Sequence, residues 1–418
     1  MNKCYNSADI LLPDFKKYSP ERWSVVACDQ FTSEPEYWKD VEMRVGDMPS
    51  TLHMILPEVY LEETEKRIDK INKCMLKYES EILVPYKDAM VYVKRTQSDG
   101  TVRHGIVMAI DLEAYDYKKG ASSLIRATEA TVIERIPPRV AIRRNASLEL
   151  PHVMLLIDDP SDSVFASLKA SDKAEALYDF YLMLGGGHIK GSLLTNEEKS
   201  HVSEALDALA SSEAMRIKYG DATLAPLLFA VGDGNHSLAT AKATYEEVKE
   251  KLGDAAAGHP ARYALIEVVN IHDDALKFEP IYRIMTGVDP EDVLTSLSAY
   301  IESLDGVAEP QKIDYRYGQK TGSLIVDAPK QQLAVGTLQI FIDEYIRSHK
   351  GAGVDYIHGE DSVRALAQKP NSIGFVFEGM SKSQLFKTVI FDGALPRKTF
   401  SMGHAVDKRY YLECRKIK

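Results

Sequence analysis

Short apolar runs that end abruptly in polar clusters constrain the fold of this chain most strongly. Three of them lie at residues 23–28, 153–157 and 227–231, and each is followed directly by charged, amide or hydroxyl side chains. Runs this short have the length of buried strands rather than of buried helices. A fourth run, residues 263–271, is almost wholly apolar and is expected at the centre of a sheet. The sequence therefore predicts a sheet whose strand ends carry polar side chains.

Helical patterns alternate with these strands. Helices are predicted over residues 62–79, 163–184, 196–210, 238–252 and 289–304, the third opened by a capping box of Thr195 and Glu198. Strands 89–94 and 105–112 flank a Ser-Asp-Gly turn and predict an antiparallel hairpin. We expect a mixed α+β fold in two parts, residues 1–285 and residues 286–418. The second part is expected to hold strands 324–327 and 373–378, helix 338–348 and a final basic segment.

Composition excludes several classes of protein. The 418 residues are 45% hydrophobic and 27% charged, as in ordinary globular chains, which argues against a disordered, collagen-like or coiled-coil protein. With 51 basic and 62 acidic residues the net charge is −11. Such an acidic chain lacks the electrostatic footprint of a duplex DNA binder and is a poor match for an anionic membrane surface. Nucleic acid is therefore not expected as a partner.

The cysteines and the lengths of the apolar segments indicate where the protein is located and whether its cysteines form disulfides. Four cysteines are scattered without a CxxC pair, which argues against disulfides and a structural zinc site. The first residues contain too short an apolar run for a secretory signal, and no stretch reaches the roughly 20 apolar residues of a membrane helix. We expect a cytoplasmic protein that does not contact a membrane. Its oligomeric state cannot be predicted from the sequence.

The segment Gly232-Asp233-Gly234-Asn235-His236-Ser237 carries the sharpest chemical signal, because it joins a strand to a helix. Its glycines permit a tight turn, and a helix N-terminus offers free N–H groups and positive potential to an anion such as phosphate. Asp233 is a candidate metal ligand or proton acceptor. No Walker motif occurs in the chain. An ordinary capped turn between strand and helix remains an equally good interpretation of the segment.

A second polar cluster follows strand 23–28. Asp29, Glu34 and Glu36 lie close together in the sequence, and a carboxylate placed there can deprotonate a hydroxyl nucleophile. The same residues also match a plain helix start, with Ser33 as cap, Pro35 near the first position and acids beside the helix dipole. At least one of Glu34 and Glu36 is expected to serve only as an acidic residue at the start of this helix.

Basic residues form two further candidate sites. Arg126 begins a stretch unusually rich in arginine, the preferred side chain for bidentate phosphate or carboxylate recognition, although pairing with Glu129 and Glu134 on a solvated helix explains part of it. Lys398 lies among hydroxyl side chains near the carboxyl end and could clamp a phosphoryl group. A basic strand without a ligand is the alternative there. His272 with Asp273 is a minor candidate for a metal site, and the remaining histidines are assigned to core or surface.

Four ordered motifs resemble a large bacterial family of unknown function. They are VVACDQFTSEPEYW, IRATEATVIERIPPR, VGDGNHSLATAK and LPRKTFSMG, and the resemblance spans essentially the whole chain. The family's usual third motif is closer to DGHHR, so Asn235 and Ser237 replace a histidine and an arginine. This family is in turn similar to the ParB/sulfiredoxin superfamily, whose free-serine kinases phosphorylate serine from ADP or pyrophosphate. The resemblance implies a ParB/sulfiredoxin-like catalytic region over residues 1–285 and a C-terminal α/β domain whose basic segment reaches the site.

The resemblance also implies roles for individual residues. The donor would be bound by the loop residues Gly232, Asp233, Gly234, Asn235, His236 and Ser237, with Arg126 and Lys398 as cations. Glu34 would be the general base, with Glu36 as its rival, and Asp29, Glu129 and Thr131 would line the substrate pocket. An Mg²⁺ ion at Asp233 would bridge phosphate oxygens.

Three functions follow as expectations. The first is a serine kinase that uses pyrophosphate, ADP or ATP; pyrophosphate is favoured because the sequence reveals no slot for a nucleobase. The second is a non-catalytic nucleotide- or nucleic-acid-binding regulator of the ParB type. The third is a phosphoester hydrolase that uses the same site with water as acceptor.

Overall fold

The computed structural model describes residues 3–129, 136–171 and 175–418, which fall into two compact units. The first unit contains residues 3–127, 136–276 and 404–418 within that range, and the second contains 128–129 and 277–403. Within the described residues, no helix has the length and apolar character needed to cross a lipid bilayer.

The described strands and helices have the following bounds. The strands are β1 Tyr5–Asn6, β2 Ala8–Pro13, β3 Val25–Val26, β4 Leu83–Ala89, β5 Val91–Thr96, β6 Val102–Asp111, β7 Tyr115–Asp116, β8 Ile125–Ala127, β9 Leu148–Glu149, β10 Met154–Ile157, β11 Ala176–Tyr181, β12 His188–Leu193, β13 Phe229–Asp233, β14 Tyr263–Asn270, β15 Phe278–Thr286, β16 Gln311–Tyr317, β17 Lys320–Val326, β18 Gly353–His358, β19 Ser372–Phe377, β20 Phe400–Met402, β21 Tyr410–Tyr411 and β22 Arg415–Lys416. The helices are α1 Pro20–Trp23, α2 Pro35–Val45, α3 Thr64–Glu81, α4 Ile136–Arg144, α5 Ala166–Ala170, α6 Asn196–Leu209, α7 Ser212–Tyr219, α8 Asn235–Leu252, α9 Pro290–Glu302, α10 Ala334–Ser348, α11 Glu360–Leu366 and α12 Lys382–Phe391.

A ten-stranded mixed sheet organises the described part of the first unit. Its order is β11-β12-β5-β6-β14-β10-β13-β8-β7, and β1 pairs with β6. β14 lies between β6 and β10 and is buried almost throughout, as its apolar sequence predicts. The hairpin of β5 and β6 is antiparallel, also as predicted. The mixed α+β class is confirmed.

Two pairings in the first unit determine which loops meet. β10 runs antiparallel to β13, with Met154 opposite Asp233, so the segment before β10 adjoins the loop after β13. The short strands β3 and β21 are also antiparallel, with Val26 opposite Tyr410, which places the residue after β3 beside the segment that precedes β21. The segment before β10 therefore lies beside the segment after β13, and the segment after β3 lies beside the segment before β21.

A six-stranded sheet forms the second unit, in the order β17-β16-β19-β15-β18 with β20 paired to β15. The predicted boundary after residue 285 falls inside β15 and needs correction, because this strand hydrogen-bonds to β18, β19 and β20 along its length. The chain enters the second unit at residue 277, and residues 404–418 belong to the first unit rather than to the C-terminal one.

The predicted helix over residues 163–184 is wrong for most of its length. Of the described residues in this range, only Ala166–Ala170 is helical, and Ala176–Tyr181 forms strand β11 against β12. Burial alternates along β11, with Tyr178 and Phe180 buried and their neighbours exposed. That two-residue period is the pattern of a half-buried strand. The capping box of Thr195 and Glu198 is confirmed at the start of α6.

Candidate functional site

A polar cluster in the first unit is built from the ends of the paired strands. Cys28 and Asp29 follow β3, His152 precedes β10, and the loop 232–237 joins β13 to α8. Lys408 precedes β21, and Tyr411 lies within it. We call these residues the strand-end cluster.

The loop of this cluster depends on glycine. Gly234 has φ +80° and directly precedes α8, and a Cβ there would lie 3.1 Å from the Cα of Val153. Only glycine adopts this backbone at low cost in such limited space. α8 consequently begins at Asn235, three residues earlier than predicted, so Asn235, His236 and Ser237 form its first turn. The N–H groups of a first turn have no partner within the helix, and the dipole there favours an anion.

A cation that the motifs did not indicate adjoins this loop. Lys408 Nζ lies 3.2 Å from Asp233 Oδ2, and both side chains are largely buried. The N–H of Gly234 donates to Asp233 Oδ1 at 3.1 Å. The carboxylate of Asp233 therefore fixes both the turn and the ammonium group beside it.

His152 connects the remaining members of the cluster. Its Nε2 lies 3.0 Å from Ser237 Oγ and 3.8 Å from Asp29 Oδ2, and its Nδ1 lies 2.8 Å from the hydroxyl of Tyr411. The same hydroxyl donates to Cys28 Sγ at 3.0 Å. His152 and Tyr411 are buried, and their rings meet edge to face.

Asp29 is held in its ionised form. Burial alone would raise its pKa, but the positive charge of His152 when that ring is protonated, the amide of Gln30 and the charge of Lys408 outweigh burial and lower it. A carboxylate that stays charged is suited to binding a cationic group of a ligand.

A largely apolar cavity of about 170 Å³ opens beside the cluster. Cys28, His152, Ser237 and Tyr411 contribute to its wall. Aliphatic side chains from the segments around Leu56 and Leu148 and from α8 complete it. The dyad of Ser237 and His152 therefore faces a space that can admit a small ligand.

A family model described as "Protein of unknown function (DUF1015)" matches residues 13–395. The chain belongs to this family. No curated protein matches it. Lys408 and Tyr411 lie beyond the matched range, although they are part of the strand-end cluster.

Several solved structures share a weak likeness with this DUF1015 member. A conserved hypothetical protein from Pyrococcus furiosus is 12% identical with a TM-score of 0.34, covering 75% of this chain and 95% of its own. A free serine kinase in complex with AMP is 13% identical with a TM-score of 0.37, covering 74% and 92%. SbnI from Staphylococcus aureus is 10% identical with a TM-score of 0.33, covering 71% and 82%. Scores this low do not establish a common fold.

The two glutamates expected as bases lie at the surface of this DUF1015 protein. Glu34 is exposed and occupies the N-cap position of α2 without making a side-chain cap, and Pro35 is the first helical residue. Glu36 is exposed and pairs with Lys39 at 2.7 Å. The predicted helix start is confirmed, with Glu34 rather than Ser33 as its cap residue. Asp29 is the carboxylate of this segment that joins the cluster.

Arg126 is buried in the middle of β8, and its described hydrogen bonds go to backbone carbonyls. Its Nε donates to Ser123 O at 2.8 Å, and its Nη2 donates to Ala225 O at 2.9 Å and Pro226 O at 3.1 Å. These hydrogen bonds connect β8 to the segment that contains Ala225 and Pro226. Three further arginines of this stretch form ion pairs: Arg139 with Glu58, Arg144 with Glu247, and Arg143 with Glu149, which lies six residues further along the chain.

Of the remaining predicted site residues, the structure describes Glu129, Lys398, His272 and Asp273. Glu129 and Lys398 belong to the second unit, where Glu129 forms an isolated bridge to Leu395 and Lys398 is exposed with φ +54°. Thr131 lies outside the described residues. His272 contacts Asp158 at 2.7 Å, and Asp273 contacts His104 at 3.1 Å, so these neighbours in sequence face different partners.

The described side chains offer few ligands for the Mg²⁺ ion expected at Asp233. Within residues 3–129, 136–171 and 175–418, no group of three or more His, Cys, Asp or Glu side chains could hold a metal ion. Mg²⁺ is, however, often bound by one or two carboxylates together with substrate phosphates. Asp233 fits that mode as a single protein ligand for an ion that arrives with a phosphorylated donor.

Proposed function

We propose that this protein is a phosphotransferase that moves a phosphoryl group to the hydroxyl of free L-serine and forms O-phosphoserine. The observation that carries the proposal is the convergence of an anion-accepting helix start, the ammonium of Lys408 and the charged Asp29 in one cluster. Phosphoryl transfer depends on positioning and on compensating charge, and these groups supply both. Serine as the acceptor is taken from the sequence resemblance.

The first turn of α8 is proposed to bind the donor phosphates. Its N–H groups and Lys408 Nζ would neutralise charge on the transferred group. Lys408 is proposed for this role in place of Arg126, because the described hydrogen bonds of Arg126 go to backbone carbonyls. Mg²⁺ would be held by Asp233 and the phosphates and would supply further charge compensation.

Asp29 and Glu34 are proposed to serve the acceptor. Asp29, ionised and half-buried, would bind the ammonium group of serine. Glu34, five residues further along the chain at the N-cap of α2, would accept the proton of the serine hydroxyl. Glu36 is not assigned a role, because its carboxylate is occupied by Lys39 on the exposed face of α2.

Pyrophosphate is the proposed donor. A nucleotide is the second candidate, and the observation that favours it is the apolar cavity beside Ser237, which offers a nucleobase a place that the sequence did not reveal. The same cluster with water as acceptor would act as a phosphoester hydrolase. A regulator of the ParB type would bind a nucleotide without turnover.

A donor screen separates these functions. The protein is incubated with Mg²⁺ and L-serine together with pyrophosphate, ADP or ATP in turn, and O-phosphoserine is detected by mass spectrometry. We expect O-phosphoserine from pyrophosphate. Its absence with every donor would overturn the proposal, and phosphate release that does not require serine would point to hydrolysis instead.

A further inference from the structure

Ser237 has the contacts of an activated nucleophile. Its Oγ lies 3.0 Å from Nε2 of His152, and Ser237 is half-buried while His152 is only 6% exposed. A hydroxyl within hydrogen-bond reach of a base that a third group orients is the arrangement of serine nucleophiles.

Tyr411 is the group that orients the base. Its hydroxyl donates to Cys28 Sγ at 3.0 Å and accepts the N–H of Cys28 at 3.3 Å. Because its hydrogen is directed to sulfur, its oxygen accepts Nδ1–H of His152 at 2.8 Å. This assignment leaves Nε2 with a lone pair facing Ser237, which is the tautomer that a general base requires.

Two further features suit proton capture by His152. The carboxylate of Asp29 lies 3.8 Å from Nε2 and would stabilise the imidazolium that forms when the ring takes a proton. Burial, with a smaller contribution from the charge of Asp29, raises the pKa of Cys28 to about 12, so the neighbouring thiol stays protonated and does not compete as a nucleophile.

The position of Ser237 selects the electrophile. The hydroxyl lies in the first turn of α8, where positive potential favours a phosphate over a neutral ester, and Lys408 adds a cation to the same loop. A donor phosphate seated on this turn therefore lies next to a serine hydroxyl that already has its base.

We infer that Ser237 is the first acceptor of the phosphoryl group, so that transfer proceeds through a phosphoserine on the enzyme. This inference rests on the proposed function and specifies its course. The Oγ–P bond forms while the P–O bond to the leaving group breaks, the hydroxyl proton passes to His152 Nε2, and the leaving group departs as phosphate when pyrophosphate is the donor. In the second step the acceptor hydroxyl gives its proton to Glu34 as its oxygen attacks phosphorus, the Oγ–P bond breaks, and His152 returns its proton to Oγ.

A fluorophosphonate probe tests the nucleophile without requiring the natural donor. Attack by Ser237 would form an Oγ–P bond and release fluoride, and the modified peptide is located by mass spectrometry. We expect labelling at Ser237 that is absent in Ser237→Ala and at least about 100-fold slower in His152→Gln, the usual size of a general-base contribution. The matched control is Ser161→Ala, whose exposed hydroxyl contacts Asp159 instead of a histidine and whose loss should leave labelling unchanged.

Other outcomes overturn the inference. One is that the folded wild-type protein is not labelled at Ser237. The other is that His152→Gln is labelled as fast as the wild-type protein. Circular dichroism of each variant establishes folding, and Tyr411→Phe provides a second variant that keeps the ring in place while removing the acceptor of Nδ1–H. Labelling of that variant should also slow.

The natural reaction supplies an independent measurement. Incubation with the donor and Mg²⁺ but without serine should leave a phosphoryl group on Ser237. Production of O-phosphoserine by Ser237→Ala at the wild-type rate would overturn the covalent step while leaving the proposed function intact. Probe labelling of Ser237 without O-phosphoserine from any donor would support the nucleophile and contradict the choice of acceptor.

Discussion

Lys408 Nζ lies 3.2 Å from Asp233 Oδ2, which joins the C-terminal segment to the loop that begins α8. The two residues are 175 positions apart in the sequence, so nothing local brings them together. The antiparallel pairs β3–β21 and β10–β13 place both segments at the same group of strand ends. The proposed binding of phosphate by the cluster depends on that topology.

The roles of Asp29 and Glu34 can be separated by kinetics. Asp29→Asn removes the charge proposed to bind the ammonium of serine, and we expect the KM for serine to rise roughly 10-fold or more, the value of a lost charge-assisted hydrogen bond. Glu34→Gln removes the proposed base, and we expect kcat to fall by about 100-fold or more with a smaller change in KM. Steady-state rates of O-phosphoserine formation distinguish the two effects.

The converse pattern would reassign the base. A large fall in kcat for Asp29→Asn together with full activity of Glu34→Gln would make Asp29 the proton acceptor. Glu36→Gln is the control for both, because its carboxylate contacts Lys39 on α2.

Gly234→Ala tests the backbone of the loop. The residue has φ +80° and a Cβ there would be 3.1 Å from Val153 Cα, so we expect a loss of about 1–2 kcal/mol in the free energy of unfolding. The contact between Ser237 and His152 should be displaced as well, with a loss of turnover. Urea unfolding and activity assays measure the two effects.

The control is Gly253→Ala at the other end of the same helix. Gly253 also has positive φ, +55°, but a Cβ there would meet no atom within 4 Å. We expect a comparable loss of stability with unchanged activity. Equal activity losses in both variants would contradict a specific requirement at Gly234.

A buried ion-pair network predicts sensitivity to acid. Glu267 contacts Arg409 and lies 3.6 Å from Arg103, all three being nearly inaccessible to solvent. Burial alone would raise the pKa of Glu267, but the two arginines outweigh it and lower the pKa below its usual 4.5. A carboxyl with a lowered folded-state pKa stabilises the fold above about 4.5 and loses that contribution as the pH falls through the folded-state value.

The variant Glu267→Gln should reproduce this loss near neutral pH. Removing the anion that lies between two buried guanidinium groups, of which Arg409 keeps its pair with Glu413, costs about 3 kcal/mol, and urea unfolding measures the change. Because Arg409 is the neighbour of Lys408 in the sequence, Glu267→Gln should also weaken the position of the segment that carries Lys408. Glu213→Gln, at a fully exposed ion pair with Arg216, should leave the free energy of unfolding nearly unchanged. Similar unfolding midpoints for both variants would contradict the role given to the network.

Local signals were sufficient to predict some of these features from the sequence. The apolar run of β14 predicts its central position, the Ser-Asp-Gly turn predicts the β5–β6 hairpin, and Thr195 with Glu198 predicts the start of α6. The loop 232–237 was found because its glycines and its place between strand and helix are visible in one short segment. The strand β11 was missed because its alternating pattern was taken as part of a long helix.

The rest of the site depends on pairing between distant segments. His152 was assigned to core or surface, because only the antiparallel register of β10 and β13 brings it to Ser237. Lys408 and Tyr411 reach the cluster through β21, a strand too short to be recognised from its sequence. Arg126 shows the opposite error, since arginine density suggested an anion site while its hydrogen bonds go to backbone carbonyls.

The most direct test of the central claim is the rate of O-phosphoserine formation by wild type, Lys408→Ala and Lys416→Ala under identical donor and Mg²⁺ concentrations. Lys416 is a matched control, since it pairs with Glu79 at 2.6 Å on the surface of the same C-terminal segment. The account predicts product from wild type and Lys416→Ala, and a fall in kcat/KM for the donor of about 10- to 100-fold in Lys408→Ala, as expected when a charged contact to phosphate is lost. Undiminished turnover by a folded Lys408→Ala protein, or no product from wild type, would contradict it.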